Sequence, residues 1–241
     1  MLTAIVSDIH GNLEALDAVL ADVRAHRPDR VFCLGDFVGY GASPNECIER
    51  LRPEIAGAVI GNHDVAAIGR LQLTYFNNDA AVAARWTDVR LSPENRAYLE
   101  QLPYTIRQPG MLLVHASPEA PEEWRYVLSP ADAEYEMATY PEPLCFIGHS
   151  HYPGAFALLG TRMRYTREIE IRIEPGQRYL VNVGSVGQPR DGDPRAAYVL
   201  HDQASGRVRH VRVEYDVAAA GERIRSAGLP DFLAARLEWG E

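Results

Sequence analysis

Cysteine is scarce in this sequence. The 241 residues hold three, Cys33, Cys47 and Cys145, and no CxxC pair. That odd number and wide spacing exclude a disulfide framework and a thiolate zinc site, and predict buried thiols in a reducing compartment. Long apolar runs are missing too. No stretch approaches the roughly 20 apolar residues of a membrane span. The opening MLTAIVSD is too short for a secretory leader and lacks its basic flank. Positive charge is in deficit, with 24 Lys and Arg against 33 Asp and Glu and a net charge of −9. A field of that sign disfavours non-specific binding to nucleic acid or to an anionic membrane. A phosphate-bearing ligand stays compatible, because a bound metal ion reverses the local potential. The expectation is a soluble, cytoplasmic protein.

What is present is a core. Hydrophobic residues make up 46% and charged residues 24% of the chain, which suits one α/β domain over residues 1–241. Leu2 to Val6 reads as a buried strand. Asn12 can cap the helix that follows, where Leu13, Leu16, Val19, Leu20 and Val23 recur at helical spacing. Arg30 to Leu34 and Ile55 to Ile60 read as two more strands. Between them, Ser43-Pro44-Asn45-Glu46 reads as a capping box with proline at the first helical position. Strand, helix, strand, helix, strand implies right-handed crossovers and a parallel sheet. Helical signals follow over roughly residues 77–101, the last begun by Ser92-Pro93. Met111 to Val114 and Leu144 to Ile147 are apolar strands, with a helix capped by Ser129-Pro130 between them. From residue 155 the pattern changes to amphipathic strands, as in Glu168 to Glu174 (EIEIRIE), with a turn at 202–206 and a helical tail over 218–237. Two packed sheets with helices outside are expected.

The polar residues fall at strand ends: Asp8 and His10; Asp36; Asn62, His63 and Asp64; His115; His149 and His151. Carboxyl ends of parallel strands line one edge, where ligands bind. In Asp8-Ile9-His10 and His149-Ser150-His151 the two side chains share a face if the chain is extended. Gly35, Gly61 and Gly148 each precede one of these residues, where the backbone leaves its strand and needs dihedrals that glycine takes cheaply. Imidazole, carboxylate and amide without thiolate make a nitrogen/oxygen site suited to Mn, Fe, Zn, Ni or Co. Seven ligands are too many for one tetrahedral ion and divide over two, with Asp36 shared. Five of the eight histidines occupy these positions. His26, His201 and His210 do not, and read as surface or structural.

Together these motifs resemble the calcineurin-like metallophosphoesterases. That family carries D-x-H, G-D, G-N-H-[DE], a histidine after a strand, and G-H-x-H, in that order. Here they stand as Asp8-Ile9-His10, Gly35-Asp36, Gly61-Asn62-His63-Asp64, Val114-His115 and Gly148-His149-Ser150-His151. The stretches SDIHGNLEAL, GDFVGYGASPNE and VNVGSVGQPRDGDPRAAY are similar to its small bacterial branch with phosphodiesterase-type members. That branch commonly has proline after the asparagine of its late motif, where this chain has Val183.

The resemblance implies a four-layer α/β/β/α sandwich, two mixed sheets flanked by helices. It implies two divalent metal ions, one held by Asp8, His10, Asp36 and His151, the other by Asp36, Asn62, His115 and His149. His63 would contact the substrate phosphate and Asp64 would orient it, with a metal-bridging hydroxide as nucleophile. Arg190, after the late motif, and Asn12, beside the first ligand pair, are further candidates for phosphate contact. The segments 65–110 and 117–143 are expected near the cleft. The expected partner is a small phosphate ester, most simply a phosphodiester. A phosphomonoester, a dinucleoside polyphosphate or a phosphoprotein is the alternative, and a non-catalytic metal-binding scaffold the rival outside enzymes.

Overall fold

Asn12 starts the first crossover as expected: its side chain accepts from the Ala15 N–H at 3.0 Å. The computed structural model describes residues 1–241, apart from the side chain of Tyr75. The chain runs through β1 (Leu2–Val6), α1 (Leu13–His26), β2 (Arg30–Cys33), α2 (Pro44–Leu51), β3 (Gly57–Ala58) and α3 (Asn62–Ala67). Next come α4 (Asn78–Asp88), α5 (Pro93–Glu100), β4 (Thr105–Gln108), β5 (Met111–Val114), α6 (Pro130–Met137) and β6 (Leu144–Ile147). The remainder holds β7 (Gly154–Leu159), β8 (Arg162–Thr166), β9 (Glu170–Arg172), β10 (Arg178–Asn182), β11 (Ala196–Asp202), β12 (Arg207–Val213), α7 (Val217–Ser226) and α8 (Asp231–Ala235).

The strands form two six-stranded mixed sheets, ordered β3-β2-β1-β11-β12-β9 and β4-β5-β6-β10-β7-β8. Alternation assigns their faces. In β1, Ile5 joins Phe32, Leu113 and Phe146 in the core between the sheets. Ala4 and Val6 point the other way, onto Leu16, Val19 and Leu20 of α1. In β6, Cys145 and Ile147 face Ala133 and Met137 of α6, beyond the second sheet. The result is the expected α/β/β/α sandwich. All three cysteines are free and buried.

β5 and β6 lie in the second sheet, apart from β1, β2 and β3. Their apolar runs are buried on both faces, and such runs do not say which sheet they join. Three local expectations need correction. The third strand shrinks to Gly57–Ala58, and Ser43 makes no side-chain cap, although α2 does begin at Pro44. The helical tail is two helices, broken at Gly228 and Pro230.

His201 and His210 are buried rather than superficial. The Nε2 of His210 meets the Asn182 carbonyl at 2.8 Å and ties β12 to the second sheet. Burial pushes the His201 pKa down to about 4, against the pull of Asp202. Its ring is therefore neutral in the fold but takes a proton in the unfolded chain below about pH 6.5. The stability this linkage governs is complete above pH 6.5 and is lost as pH falls towards 4, on the order of 3 kcal/mol. Urea unfolding of metal-free His201→Gln should show a shallower loss of stability across that window than the wild type. An unchanged slope would contradict the neutral, buried ring.

Candidate metal centre and active-site cleft

The strand ends of both sheets meet at one edge. Asp8 follows β1 and Asp36 follows β2, while Asn62 opens α3 after β3. From the second sheet come His115 after β5 and His149 with His151 after β6. The spacing-two pairs are not extended. Asp8, His10, Asp36, His149 and His151 all have φ between 49° and 66°, in the left-handed region that non-glycine residues avoid. Eight non-glycine residues of the chain have positive φ; Tyr40 and Trp124 belong to the same cleft, and Arg27 alone lies elsewhere. Strain is thus concentrated at one place, as it is at functional sites.

The glycines serve closeness more than dihedral freedom. Gly35 does have φ +92, but Gly61 sits at φ −105. A Cβ on Gly61 would lie 2.1 Å from Asp36 Oδ1, and one on Gly148 would lie 2.4 Å from Asp8 Oδ2.

Three tautomers follow from the hydrogen bonds. His10 Nδ1 meets the Val38 carbonyl at 3.1 Å, His115 Nδ1 the Leu34 carbonyl at 2.7 Å, and His151 Nδ1 the Gln188 carbonyl at 2.5 Å. A carbonyl only accepts, so each Nδ1 carries a hydrogen and Nε2 is the atom left facing inward, free to ligate a cation once it holds no proton. These nitrogens converge on carboxylates. His151 Nε2 is 3.2 Å from Asp8 Oδ1, and His10 Nε2 is 3.7 Å from the same atom. His10 and His115 place Nε2 at 3.6 and 3.4 Å from Asp36 Oδ2. His115 Nε2 is also 3.2 Å from Asn62 Oδ1.

Three groups of potential ligand atoms emerge: Asp8 with His10 and His151, Asp36 with His115 and His149, and His10 with Asp36 and His63. Asp36 Oδ2 reaches His10 and His115 alike, so it stands between the first two. Among the described residues the buried Nε2 of His149 has no hydrogen-bond partner, and the two Nε2 atoms of His10 and His151 face each other at 3.0 Å. Imidazole nitrogens crowded together and an orphaned buried nitrogen are costly without a cation, and this donor set fits two divalent metal ions. Charge points the same way. Burial would raise the Asp8 carboxyl, but His151, His10 and His115 outweigh it and hold Asp8 well below the usual carboxylate range. Asp36 is lowered likewise, burial being overcome by His115, His63 and His10.

His63 lies in the cleft, packed between the rings of Tyr40 (4.4 Å), Phe76 (4.7 Å) and His10 (4.8 Å). Here Asp64 departs from expectation. Its carboxylate accepts from the N–H groups of Asp36 (2.8 Å), Gly61 (3.0 Å) and Val38 (3.3 Å), and among the described residues His63 Nδ1 has no partner. Asp64 is the third residue of α3 and its side chain folds back on the helix start, beside the Asp36 turn, rather than along the ring. Asp64 therefore orders the turn bearing Asp36, while rings hold His63. Gly39 makes room, because a Cβ there would meet His63 Nδ1 at 2.5 Å.

Asn12 is also corrected as a substrate contact. Its amide caps α1 and donates to the Gly187 carbonyl at 2.9 Å, which uses both ends. Arg190 does line the cleft and donates to Tyr40 Oη (3.1 Å) and Gln188 Oε1 (2.9 Å). Val183 replaces the family's proline with a gain, since its N–H donates to the Ile147 carbonyl at 2.8 Å.

The sequence pattern of the calcineurin-like phosphoesterase superfamily domain matches residues 1–206. The chain belongs to that superfamily. It is accordingly a phosphoester hydrolase by family and fold. The chain resembles the crystal structure of a metallophosphoesterase from Sphaerobacter thermophilus, with 41% identity and a TM-score of 0.89, covering 100% of this chain and 99% of that one. An uncharacterized protein of Methanocaldococcus jannaschii is 41% identical over 99% of this chain and 98% of its own length. A hypothetical protein of Pyrococcus horikoshii shares the fold, with a TM-score of 0.80, 22% identity and coverage of 100% and 98%. Among the described residues, no helix is long and apolar enough to cross a membrane.

The phosphoesterase cleft has a cavity of about 690 Å³ at its mouth. Sequence reasoning missed much of its wall. Phe76 and Asn77 come from the approach to α4, Trp124 and Tyr126 from the turn before α6, and Arg236 from the end of α8. Tyr126 stacks on His149, with ring centroids 4.1 Å apart and planes at 22°. The positive φ of Trp124, +55, belongs to tertiary structure and has no signature in Glu122-Glu123-Trp124. Of the segment 65–110, Leu71, Phe76, Asn77 and Ala80 line the cavity; of the segment 117–143, Glu122, Glu123, Trp124 and Tyr126 do.

Proposed function

We propose that the protein hydrolyses phosphodiesters at a pair of divalent metal ions. Asp8, His10, Asp36 and His151 would hold one ion, and Asp36, Asn62, His115 and His149 the other. The observation that carries this reading is the position of Asp36, shared between two groups of inward-facing imidazole nitrogens. When bound, two such ions supply Lewis-acid charge for the phosphoryl oxygens and lower the pKa of water near neutrality. The chain's own residues do the rest. Asp64 holds the Asp36 turn, and the carbonyls of Val38, Leu34 and Gln188 fix the histidine tautomers. His63 sits among rings beside both groups. Burial holds its pKa well below the ordinary value against the pull of Asp36, so it would gain and pass a proton to the leaving oxygen only once the negative charge of a bound phosphoryl group favours the charged ring.

The cleft's size favours a diester. A cavity of about 690 Å³ exceeds one phosphate and leaves space for a group on either side of it. The test is a panel with added Mn²⁺: bis-p-nitrophenyl phosphate, p-nitrophenyl phosphate, cyclic nucleotides and dinucleoside polyphosphates. The diester should be cleaved at least about tenfold faster, in kcat/KM, than the monoester. The reverse order would make the protein a phosphomonoesterase with the same metal chemistry.

A further inference from the structure

The cleft carries charge that the metal centre does not use. Arg190 lies half-buried at one end, bonded to Tyr40 and Gln188, two neutral partners. Arg236 lines the same cavity, also half-buried. Its Nε donates to the main-chain oxygen of Glu241 and its guanidinium lies 5.3 Å from the Phe232 ring centroid. Among the described residues, neither arginine pairs with an Asp or Glu side chain. They are close enough to act on each other, since burial first and then the Arg190 charge lower the pKa of Arg236.

Their placement is rigid. Leu233, Ala234 and Leu237 pack into one cluster with Tyr40, Ala80 and Ala83, so the end of α8 is fastened to the cleft wall. Arg236 stands one position before Leu237 on that anchored turn. It also lies outside residues 1–206, the span of the superfamily sequence pattern. Apart from the pull of Glu241 on Arg236, the two like charges share a concave, partly desolvated site without a close side-chain carboxylate, and they repel each other unless an anion joins them. The same cavity is lined by Trp124, Tyr126 and the acidic Glu122 and Glu123, a poor place for further phosphate but a flat one for a ring.

We propose that Arg190 and Arg236 form a subsite for a second phosphate, so that the substrate is a nucleotide-like ester carrying another anionic group beside the scissile one. This rests on the phosphoesterase reading of the same cleft. The acidic, aromatic wall orients the substrate, with the extra phosphate at the arginines and the ring against Trp124. Arginine suits the task because its planar fork binds phosphate oxygens in pairs.

The test is calorimetric. Manganese-loaded protein is titrated with adenosine 3′,5′-bisphosphate and, separately, with adenosine 5′-monophosphate. The wild type should bind the bisphosphate about tenfold tighter, R236Q should bring the two within about twofold, and R236K should keep most of the preference. The preference should also shrink as salt rises. Equal affinities in the wild type, or a preference that survives R236Q, would overturn the subsite. Cleavage of bis-p-nitrophenyl phosphate by the same preparations reports on the hydrolytic reading instead. Protein that prefers the bisphosphate without cleaving the diester would uphold the subsite and defeat the hydrolase assignment.

Discussion

His63→Ala should lower kcat on bis-p-nitrophenyl phosphate by about 10²- to 10⁴-fold, the range typical of a lost proton donor or acceptor. It should do so without emptying the metal centre. None of the inward-facing nitrogens of His10, His115, His149 or His151 depends on the His63 ring, and the His63 backbone N–H that donates to Asp36 Oδ1 at 2.8 Å survives the change. Elemental analysis should therefore still find two metal ions per chain. The ring is held by Tyr40, Phe76 and His10, so its removal opens a hole among aromatic groups at the cleft, not in the sheet core. The loss should grow when the p-nitrophenolate is replaced by a poorer leaving group, which needs a proton more. Turnover close to wild type with both esters would remove His63 from the chemistry.

Asp36→Asn should have the other large effect, on metal binding itself. The Oδ2 atom that becomes an amide nitrogen is the one facing His10 and His115 at 3.6 and 3.4 Å. An amide in that position turns N–H groups towards two lone-pair donors and can no longer serve two cations. Each ion bound at a hundred times its Kd stabilises the fold by about 2.7 kcal/mol. Two ions should therefore raise the thermal midpoint of the wild type by roughly 10–20 °C, at 2–4 °C per kcal/mol for a domain of this size. Differential scanning fluorimetry with and without Mn²⁺ should show less than half that gain in Asp36→Asn. Activity should fall by at least about 10²-fold, because a Lewis acid contributes several kcal/mol to the transition state. An undiminished thermal gain would show that Asp36 is not the shared ligand.

Much of this was readable from residue order. The five strand-end motifs name their own chemistry, and all seven expected ligands reach one edge of the sandwich. The strands β1, β2, β5 and β6 are apolar runs that stop at a polar residue, so burial and site appear in the same few letters. What could not be read has physical causes. An apolar run buried on both faces carries no mark of its sheet, so the sequence does not assign β5 and β6 to the second sheet. Asp64 follows His63 directly, and adjacency suggested contact. At the first turn of a helix, however, a third-position carboxylate is drawn to unpaired N–H groups, and three of them surround it. Asn12 was over-read for the opposite reason, because a cap residue beside a ligand pair looks polar and free until its amide is seen to be spent. Arg236 is 46 residues from Arg190 in sequence. Only the packing of Leu233 and Leu237 against the cleft wall brings the two together.

The metal site draws on both sheets, with Asp8 and Asp36 from one and His115, His149 and His151 from the other. Ions bound as proposed would join the two halves of the sandwich across that seam. A pull that shears one sheet along the other would then first have to stretch metal–ligand bonds, whereas the apolar seam alone can slip. On that proposal metal loading becomes a gauge of mechanical integrity: a chain whose sheets had begun to part would already have let go of its metals, and would fall silent before it unravelled.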